Sequence, residues 1–263
     1  MERMTVKLTG VSVFRDIGGC ATSDGRRVVQ GQVFRSSDLA GLTREDHHAL
    51  RSLCVRLVCD LRSEVEREAR PSAWPVGLET EWLVAGLLDV RAGEIDLRQI
   101  LIADPSPAGA RRMMMATYDM LPRAAESLLP RLFEQLASGQ LPALVHCTAG
   151  KDRTGFVCAC LLLALQVPWQ TVLTDYLTTS EHAPADVMAA RIAERLEMLV
   201  GPSVAQGMLT VLTGVDASYL EAAFAAVERD YGSIEGYFRT IGIGPELLAR
   251  LRARLLAVLE PGE

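Results

Sequence analysis

Four things are missing from this 263-residue chain, and each absence narrows its function. No long basic run occurs, and Asp and Glu outnumber Lys and Arg 33 to 27, so nucleic-acid binding through a general electrostatic surface is not expected. No apolar run is long enough for a bilayer. The longest, "FVCACLLLALQV", holds twelve residues, whereas a spanning helix needs about 20. It reads as a buried core helix. The first ten residues, "MERMTVKLTG", lack the apolar region of a secretory signal, so neither export nor stable membrane insertion is expected. Finally, the six cysteines (20, 54, 59, 147, 158, 160) show no C-x-x-C pairing and no disulfide-scaffold density. They imply free thiols in a reducing, cytoplasmic setting, with Cys158 and Cys160 as small core hydrophobes. What is present is size and an ordinary balance, with 49% hydrophobic and 23% charged residues. That suits a soluble enzyme with one sizeable core.

The first sixty residues have strand character. "VSVFR" and "RRVVQGQVFRS" carry β-branched and aromatic residues, with turn chemistry at Gly18-Gly19 and Asp24-Gly25. "LTREDHHALRSL" predicts a helix capped by Thr43, and "CVRLVCDLRS" a buried strand ending at Asp60. "SEVEREA" predicts a further helix, with Ser63 and Glu66 in capping-box spacing. "LETEWLVAG" is a strand candidate, and residues 86–110 read as a long connection in which "ADPSPAGA" breaks any helix. "RRMMMATYDML" and "RAAESLLPRLFEQLASG" are helical, the second stopped by Gly139. "LPALVH" is a short apolar strand of the kind a central parallel sheet buries, and everything from Gly155 onward is helical. The fold expected is α/β: a central, mostly parallel sheet flanked by helices, with a helical C-terminal half, as one domain over 1–263.

The chemistry concentrates in "HCTAGKDRTG" (146–155), entered from an apolar strand and left through an apolar helix. The loop amides of Thr148, Ala149, Gly150, Lys151, Asp152 and Arg153 can face inward as a nest, and the helix adds its positive end. Such a field favours a thiolate at Cys147, and the same donors suit a dianionic phosphate. Arg153 can hold two phosphate oxygens with one planar fork, which a lysine cannot. Gly150 lets the loop curl where a side chain would obstruct it. Thr154 stands to offer its hydroxyl to the sulfur, and His146 to hold the cysteine backbone through its ring. C-x5-R alone is a weak pattern; the full string is strong. A nucleotide-binding P-loop does not fit, because Gly150-Lys151 is followed by Asp152 rather than Ser or Thr.

This string resembles the signature loop of cysteine-dependent phosphatases, and the bacterial tyrosine/serine protein phosphatases in particular. "FRDIGG" (14–19), "GQVFRSSDLAGLT" (31–43), "VCDLRSEVERE" (58–68) and "YLEAAFAAVERDYGSIEGYF" (219–238) are similar to that family's recurrent blocks, with Val13 where the family commonly has Asn. The resemblance implies a two-step displacement. Cys147 attacks phosphorus to form a phosphocysteine, which water hydrolyses, with no metal and no cofactor. It places the general acid at Asp152, inside the loop. Asp60 is the second choice, with a structural carboxylate pinned to Arg62 as its competing role, and Asp119 the third. Arg15 and Asp16 lie in a resembled block and suit a brace for the loop better than substrate contact. The implied partners are phosphorylated proteins or peptides. Lys151 adds a second loop cation shared with phosphoinositide phosphatases, so a phosphoinositide substrate is the alternative. A pseudophosphatase that merely binds phosphorylated partners would have no need of the thiol. The segment around 175–215 resembles the family's helical cover over the site and is a candidate lid.

Away from the loop, His47 and His48 are adjacent on a helix and face different ways, which makes a solvated surface rather than a metal pair. The "RRMMM" methionines suit a core or an adaptable pocket.

Overall fold

A computed structural model describes residues 7–88, 97–179, 190, 192–194, 196–198, 201 and 206–258. In chain order the strands are β1 (Phe14–Asp16), β2 (Arg26–Val28), β3 (Val33–Ser36), β4 (Leu57–Asp60), β5 (Glu81–Val84), β6 (Ala143–His146) and β7 (Leu256–Val258). The helices are α1 (Arg44–Leu53), α2 (Glu64–Ala69), α3 (Arg98–Ala103), α4 (Pro107–Ala124), α5 (Leu129–Ala137), α6 (Asp152–Ala164), α7 (Trp169–Leu177), α8 (Gln206–Thr213), α9 (Ala217–Tyr231), α10 (Ile234–Thr240) and α11 (Pro245–Leu255).

The main sheet runs β1-β3-β6-β4-β5, with β1 antiparallel to β3 and every other pairing parallel. Every residue of β3, β4 and β6 is buried, as expected where helices cover both faces. The strand period of two divides the core. Leu57, Cys59, Ala143 and Val145 join a large cluster with α4, α5, α6 and α9, while Phe34, Val58 and Leu144 join a smaller one with Leu39, Leu50 and Val55. Cys158 and Cys160 are buried in the large cluster. The α/β class with a central, mostly parallel sheet is therefore the observed architecture.

Register decides where a site can form. Ser36 and Asp60 both stand opposite His146, so β3, β4 and β6 end level and their following loops open at one edge. The C-terminal edge of a parallel sheet is where α/β folds gather ligands. Local chemistry starts two helices there and nearby. Thr43 caps α1 in a capping box with Asp46, and Ser63 caps α2 in one with Glu66.

Three expectations change. The connection read over 86–110 contains α3 and the start of α4; "ADPSPAGA" does break the helix, ending α3 at Ala103, and then opens α4. Pro107 occupies the first turn, where its missing N–H costs nothing, and Ser106 Oγ accepts from Gly109 N at 3.2 Å. Likewise α4 continues through Pro122 to Ala124, and α5 starts only at Leu129, with Pro130 in its first turn. The helix expected to run to the end of "LLAVL" stops at Leu255. Leu256–Val258 pairs instead with β2, a contact 228 residues apart at Val28–Leu256 that no local pattern announces. Gly139 does follow the end of α5, with φ +92. The middle of the candidate lid lies largely outside the described residues: of 180–205, only 190, 192–194, 196–198 and 201 are described.

Candidate active site

The chain leaves β6 at His146 and enters α6 at Asp152, curling between them. Cys147 is 1% exposed, and Gly150 N donates to its Sγ at 3.3 Å. Gly150 has φ +70, and a Cβ there would lie 2.6–2.7 Å from Ser36 O, Ser36 C and Ser37 N. Only glycine passes under the end of β3 in this way. The loop's carbonyls are tied outward: Asp38 N donates to Thr148 O at 3.1 Å, and Arg35 Nη2 donates to Gly150 O at 2.7 Å and Lys151 O at 3.4 Å. Carbonyls held outside leave amides facing inside, the arrangement of an anion nest.

Arg153, in the first turn of α6, meets Glu66 side-on. Nη1 donates to Oε2 at 2.7 Å and Nη2 to Oε1 at 2.8 Å. Thr148 Oγ1 donates to the same Oε1, and Ser63 N donates to Oε2 at 2.9 Å. Burial by itself would raise the Glu66 pKa; Arg153, Thr148 and Ser63 override it and hold the carboxyl at about 2. Glu66 therefore closes its own helix cap and fixes the plane of the guanidinium that would grip phosphate. Sequence reasoning found only the first of these roles. The spacing Ser63–Glu66 was the visible signal, and the partner lies 87 residues on.

Asp152 is half-buried. Lys151 Nζ and Tyr118 Oη each donate to its Oδ1 at 2.7 Å, and Tyr118 Oη lies 2.7 Å from Tyr176 Oη. Lys151 is only 4% exposed, so its ammonium is directed at Asp152. Beneath the loop, Asp175 of α7 receives both Arg15 and Arg35. Arg15 Nη2 donates to Asp175 O at 2.6 Å and Oδ2 at 2.8 Å, and Arg15 Nη1 also meets Oδ1. Arg35 Nη1 stands 3.6 Å from Oδ2. Arg35, Tyr118 and Asp175 are further positions that sequence reasoning did not single out for the site. Arg35 lies within a resembled block, "GQVFRSSDLAGLT", and Asp175 and Tyr176 stand at the start of the candidate lid.

The other candidates lie elsewhere in the network. Arg15 supports the loop at two removes, through Asp175 and Arg35. Asp16 accepts from Gly18 N at 2.8 Å and Gly31 N at 2.6 Å, which braces the turns beside β1. Asp60 is 1% exposed and engaged by Arg62, whose Nη2 donates to Oδ2 at 2.8 Å and whose backbone N donates to Oδ1 at 3.0 Å. That occupies it structurally, and its pKa falls below the ordinary value because Arg62 and His146 outweigh burial. Asp119 is instead in an exposed pair with Arg229 at 2.7 Å. His146 Nδ1 lies 3.3 Å from Cys147 O, and burial drives its pKa down to about 4. Thr154 Oγ1 is buried with no hydrogen-bond partner among the described residues, so it makes no bond to the sulfur as the chain stands. Ala149 is half-buried in the loop. His47 Nε2 meets Ala73 O at 2.7 Å while His48 is exposed.

A thiol, a nest and a pre-oriented guanidinium at one sheet edge make an anion-handling site. A family model described as "Tyrosine phosphatase family" matches residues 6–257. The chain belongs to that family. It is a phosphatase, and its curated relatives carry matching names. A protein of Cupriavidus necator provisionally named a tyrosine-protein phosphatase is 34% identical over 230 residues, covering 87% of this chain and 81% of its own length. The triple specificity protein phosphatase PtpB of Mycobacterium tuberculosis is 32% identical over 278 residues, covering 95% and 98%. Among solved structures, P. aeruginosa TpbA in complex with pTyr superposes with a TM-score of 0.34 at 16% identity, over 84% of this chain and 91% of that one. So loose a superposition adds nothing to the architecture described above.

Proposed function

We propose that this phosphatase hydrolyses phosphotyrosine in proteins or peptides through a phosphocysteine intermediate, and that phosphoserine and phosphothreonine are secondary substrates. The observation that carries the reading is the Cys147 sulfur recessed in a loop whose Gly150 amide faces it, beside a guanidinium already oriented by Glu66. In the first step the Cys147 thiolate attacks phosphorus in line. The S–P bond forms, the P–O ester bond breaks, and Asp152 gives its proton to the leaving oxygen. In the second, Asp152 takes a proton from water, the water oxygen bonds to phosphorus, and the S–P bond breaks to release phosphate and the thiolate. The loop amides and Arg153 stabilise charge on the equatorial oxygens throughout.

A sulfur this recessed suits the longer reach of phosphotyrosine. The name of the mycobacterial relative, triple specificity, agrees with wider use of the same chemistry. Lys151 was the feature favouring phosphoinositide headgroups, but its ammonium is buried against Asp152, so a lipid substrate is left to the test. All six cysteines are free, which goes with a reducing, cytoplasmic setting, and we take residues 1–263 as one working domain. Among the described residues, no helix is long and apolar enough to cross a membrane.

The test is turnover in chelator, between pH 5 and 8, of an aryl phosphate, a panel of phosphopeptides, and vesicles carrying phosphoinositides. Phosphotyrosine peptides should react fastest, and Cys147→Ser should abolish turnover while still binding vanadate. Unchanged rates in Cys147→Ser would overturn the nucleophile assignment, and faster hydrolysis of the vesicle lipid would overturn the substrate class.

A further inference from the structure

Tyr118 lies in the middle of α4 and Tyr176 near the end of α7, 58 residues apart, yet their hydroxyls meet next to Asp152. Tyr118 has no exposed surface and Tyr176 is 1% exposed. A hydroxyl has one proton to give. Tyr118 gives its own to Asp152 Oδ1, so Tyr176 must donate to Tyr118, and the chain runs in one direction, Tyr176 to Tyr118 to Asp152. Lys151 Nζ donates to that same Oδ1. Among the described residues, Asp152 Oδ2 receives no hydrogen bond.

This asymmetry has a chemical consequence. An oxygen already accepting two hydrogen bonds, one from an ammonium, is a poor place for the carboxyl proton. When Asp152 is protonated, the proton is directed to Oδ2, the oxygen left open to a leaving group. The same two donors hold the carboxyl in one rotamer. The chain also has room made for it. A Cβ on Gly155 would come within 2.9 Å of Tyr176 Cδ2 and 3.1 Å of Cε2, so the glycine after Arg153-Thr154 lets the ring close onto the first turn of α6. Tyr219, from α9, packs against Tyr118 with ring centroids 5.7 Å apart and backs it from the other side. Burial, reinforced by the charge of Asp152, raises the Tyr118 pKa well above the ordinary phenol value, so it remains a donor across any working pH.

We infer that Tyr118, set by Tyr176, is a positioning residue for the general acid: it holds Asp152 so that Oδ2 carries the proton delivered to the leaving oxygen. The inference rests on the reading of Asp152 as the acid. The proton passes from Oδ2 to the departing oxygen as the P–O bond breaks and the S–P bond forms, and neither tyrosine changes protonation.

The test compares Tyr118→Phe, Tyr176→Phe, Gly155→Ala and Asp152→Asn in the full chain. Two substrates are used, phenyl phosphate with its poor leaving group and p-nitrophenyl phosphate with an activated one. Tyr118→Phe should lower kcat on phenyl phosphate about tenfold, the worth of one hydrogen bond to a charged group. It should slow the activated ester far less and leave KM for both unchanged. Tyr176→Phe and Gly155→Ala should give smaller shifts of the same kind. Added to Asp152→Asn, Tyr118→Phe should do nothing more. If Tyr118→Phe and Tyr176→Phe slow both esters equally, or raise KM without lowering kcat, the tyrosines only pack and the inference is overturned. If Asp152→Asn itself shows no leaving-group dependence while Cys147→Ser is dead, the acid assignment fails and the inference with it. Dependence in Asp152→Asn but in none of the other three overturns the inference alone.

Discussion

Replacing Glu66 by Gln removes one negative charge from the Arg153 fork and turns one acceptor into a donor facing another donor. The magnitude follows from the pair itself. The Glu66 carboxyl is held at about 2 against an ordinary 4.5, which corresponds to about 3 kcal/mol in favour of the ionised form. Removing one member of a buried ion pair costs about 3–5 kcal/mol. These side chains are 16% and 19% exposed, so residual solvent screening trims the figure to about 2–3 kcal/mol. The sign of the pH dependence is fixed by the depressed pKa: the contribution is full above 4.5 and is lost as the pH falls toward 2. Urea unfolding of wild type and Glu66→Gln at several pH values between 3 and 7 measures it. The difference should be about 2–3 kcal/mol at pH 7 and shrink steadily on acidification. At pH 7 kcat/KM should fall about a hundredfold, because under the proposed mechanism the guanidinium that would grip the phosphoryl oxygens loses its orientation. A variant with wild-type stability across this range and activity within about twofold would refute the reasoning, since Arg153 would then be set by something other than Glu66.

Two further outcomes follow from the same edge of the sheet. Gly150→Ala should lose activity by about a hundredfold or more and melt at a clearly lower temperature, because its Cβ has only backbone of Ser36 and Ser37 to displace; a normal melting curve with normal kcat would contradict the geometry. His146 should stay neutral from pH 5 to 8, so its imidazole NMR signals should not move in that range, and a midpoint near 6.5 would be contrary to its burial. With a folded pKa of about 4 against 6.5 unfolded, its contribution to stability is full above 6.5 and is lost as the pH falls toward 4.

The division between what could and could not be read from the sequence follows chain distance. The strand–loop–helix around Cys147, the caps of α1 and α2 and the apolar run of β6 are contiguous, and neighbouring residues set them through periodicity and capping. Prolines misled where position within a helix, not identity, decided their effect: Pro107 begins a helix inside a segment that reads as a connection, and Pro122 lies inside α4 where the sequence suggests a boundary. The second layer of the site was illegible for another reason. Glu66 meets Arg153 across 87 residues, Tyr118 meets Asp152 across 34, and Arg15 meets Asp175 across 160. Each of these residues also satisfies a bland local pattern, as a helix cap, a core aromatic, a strand residue or a helical acid, so nothing in its own segment demands a distant partner.

Charge accounting gives that second layer its physical meaning. Arg153 has Glu66 and Lys151 has Asp152, but Arg15 and Arg35 share the single carboxylate of Asp175. Before the Cys147 sulfur is counted, these groups sum to one positive charge. A full ring of unpaired cations would bind phosphate and release it slowly; a nearly balanced shell leaves most of the stabilisation to fixed amide dipoles, which need no reorganisation as charge moves from the ester oxygen to the leaving group. The surplus rests on Arg35, which has no exposed surface, whose Nε and Nη1 lack hydrogen-bond partners among the described residues, and whose pKa is lowered by burial and then by Arg15. A cation held so unfavourably is compensated by negative charge placed nearby, and its Nη2 is bonded to Gly150 O, whose own amide faces the sulfur. Under the proposed mechanism, Arg35 thus couples the desolvation cost of a buried guanidinium to the presence of an anion in the loop.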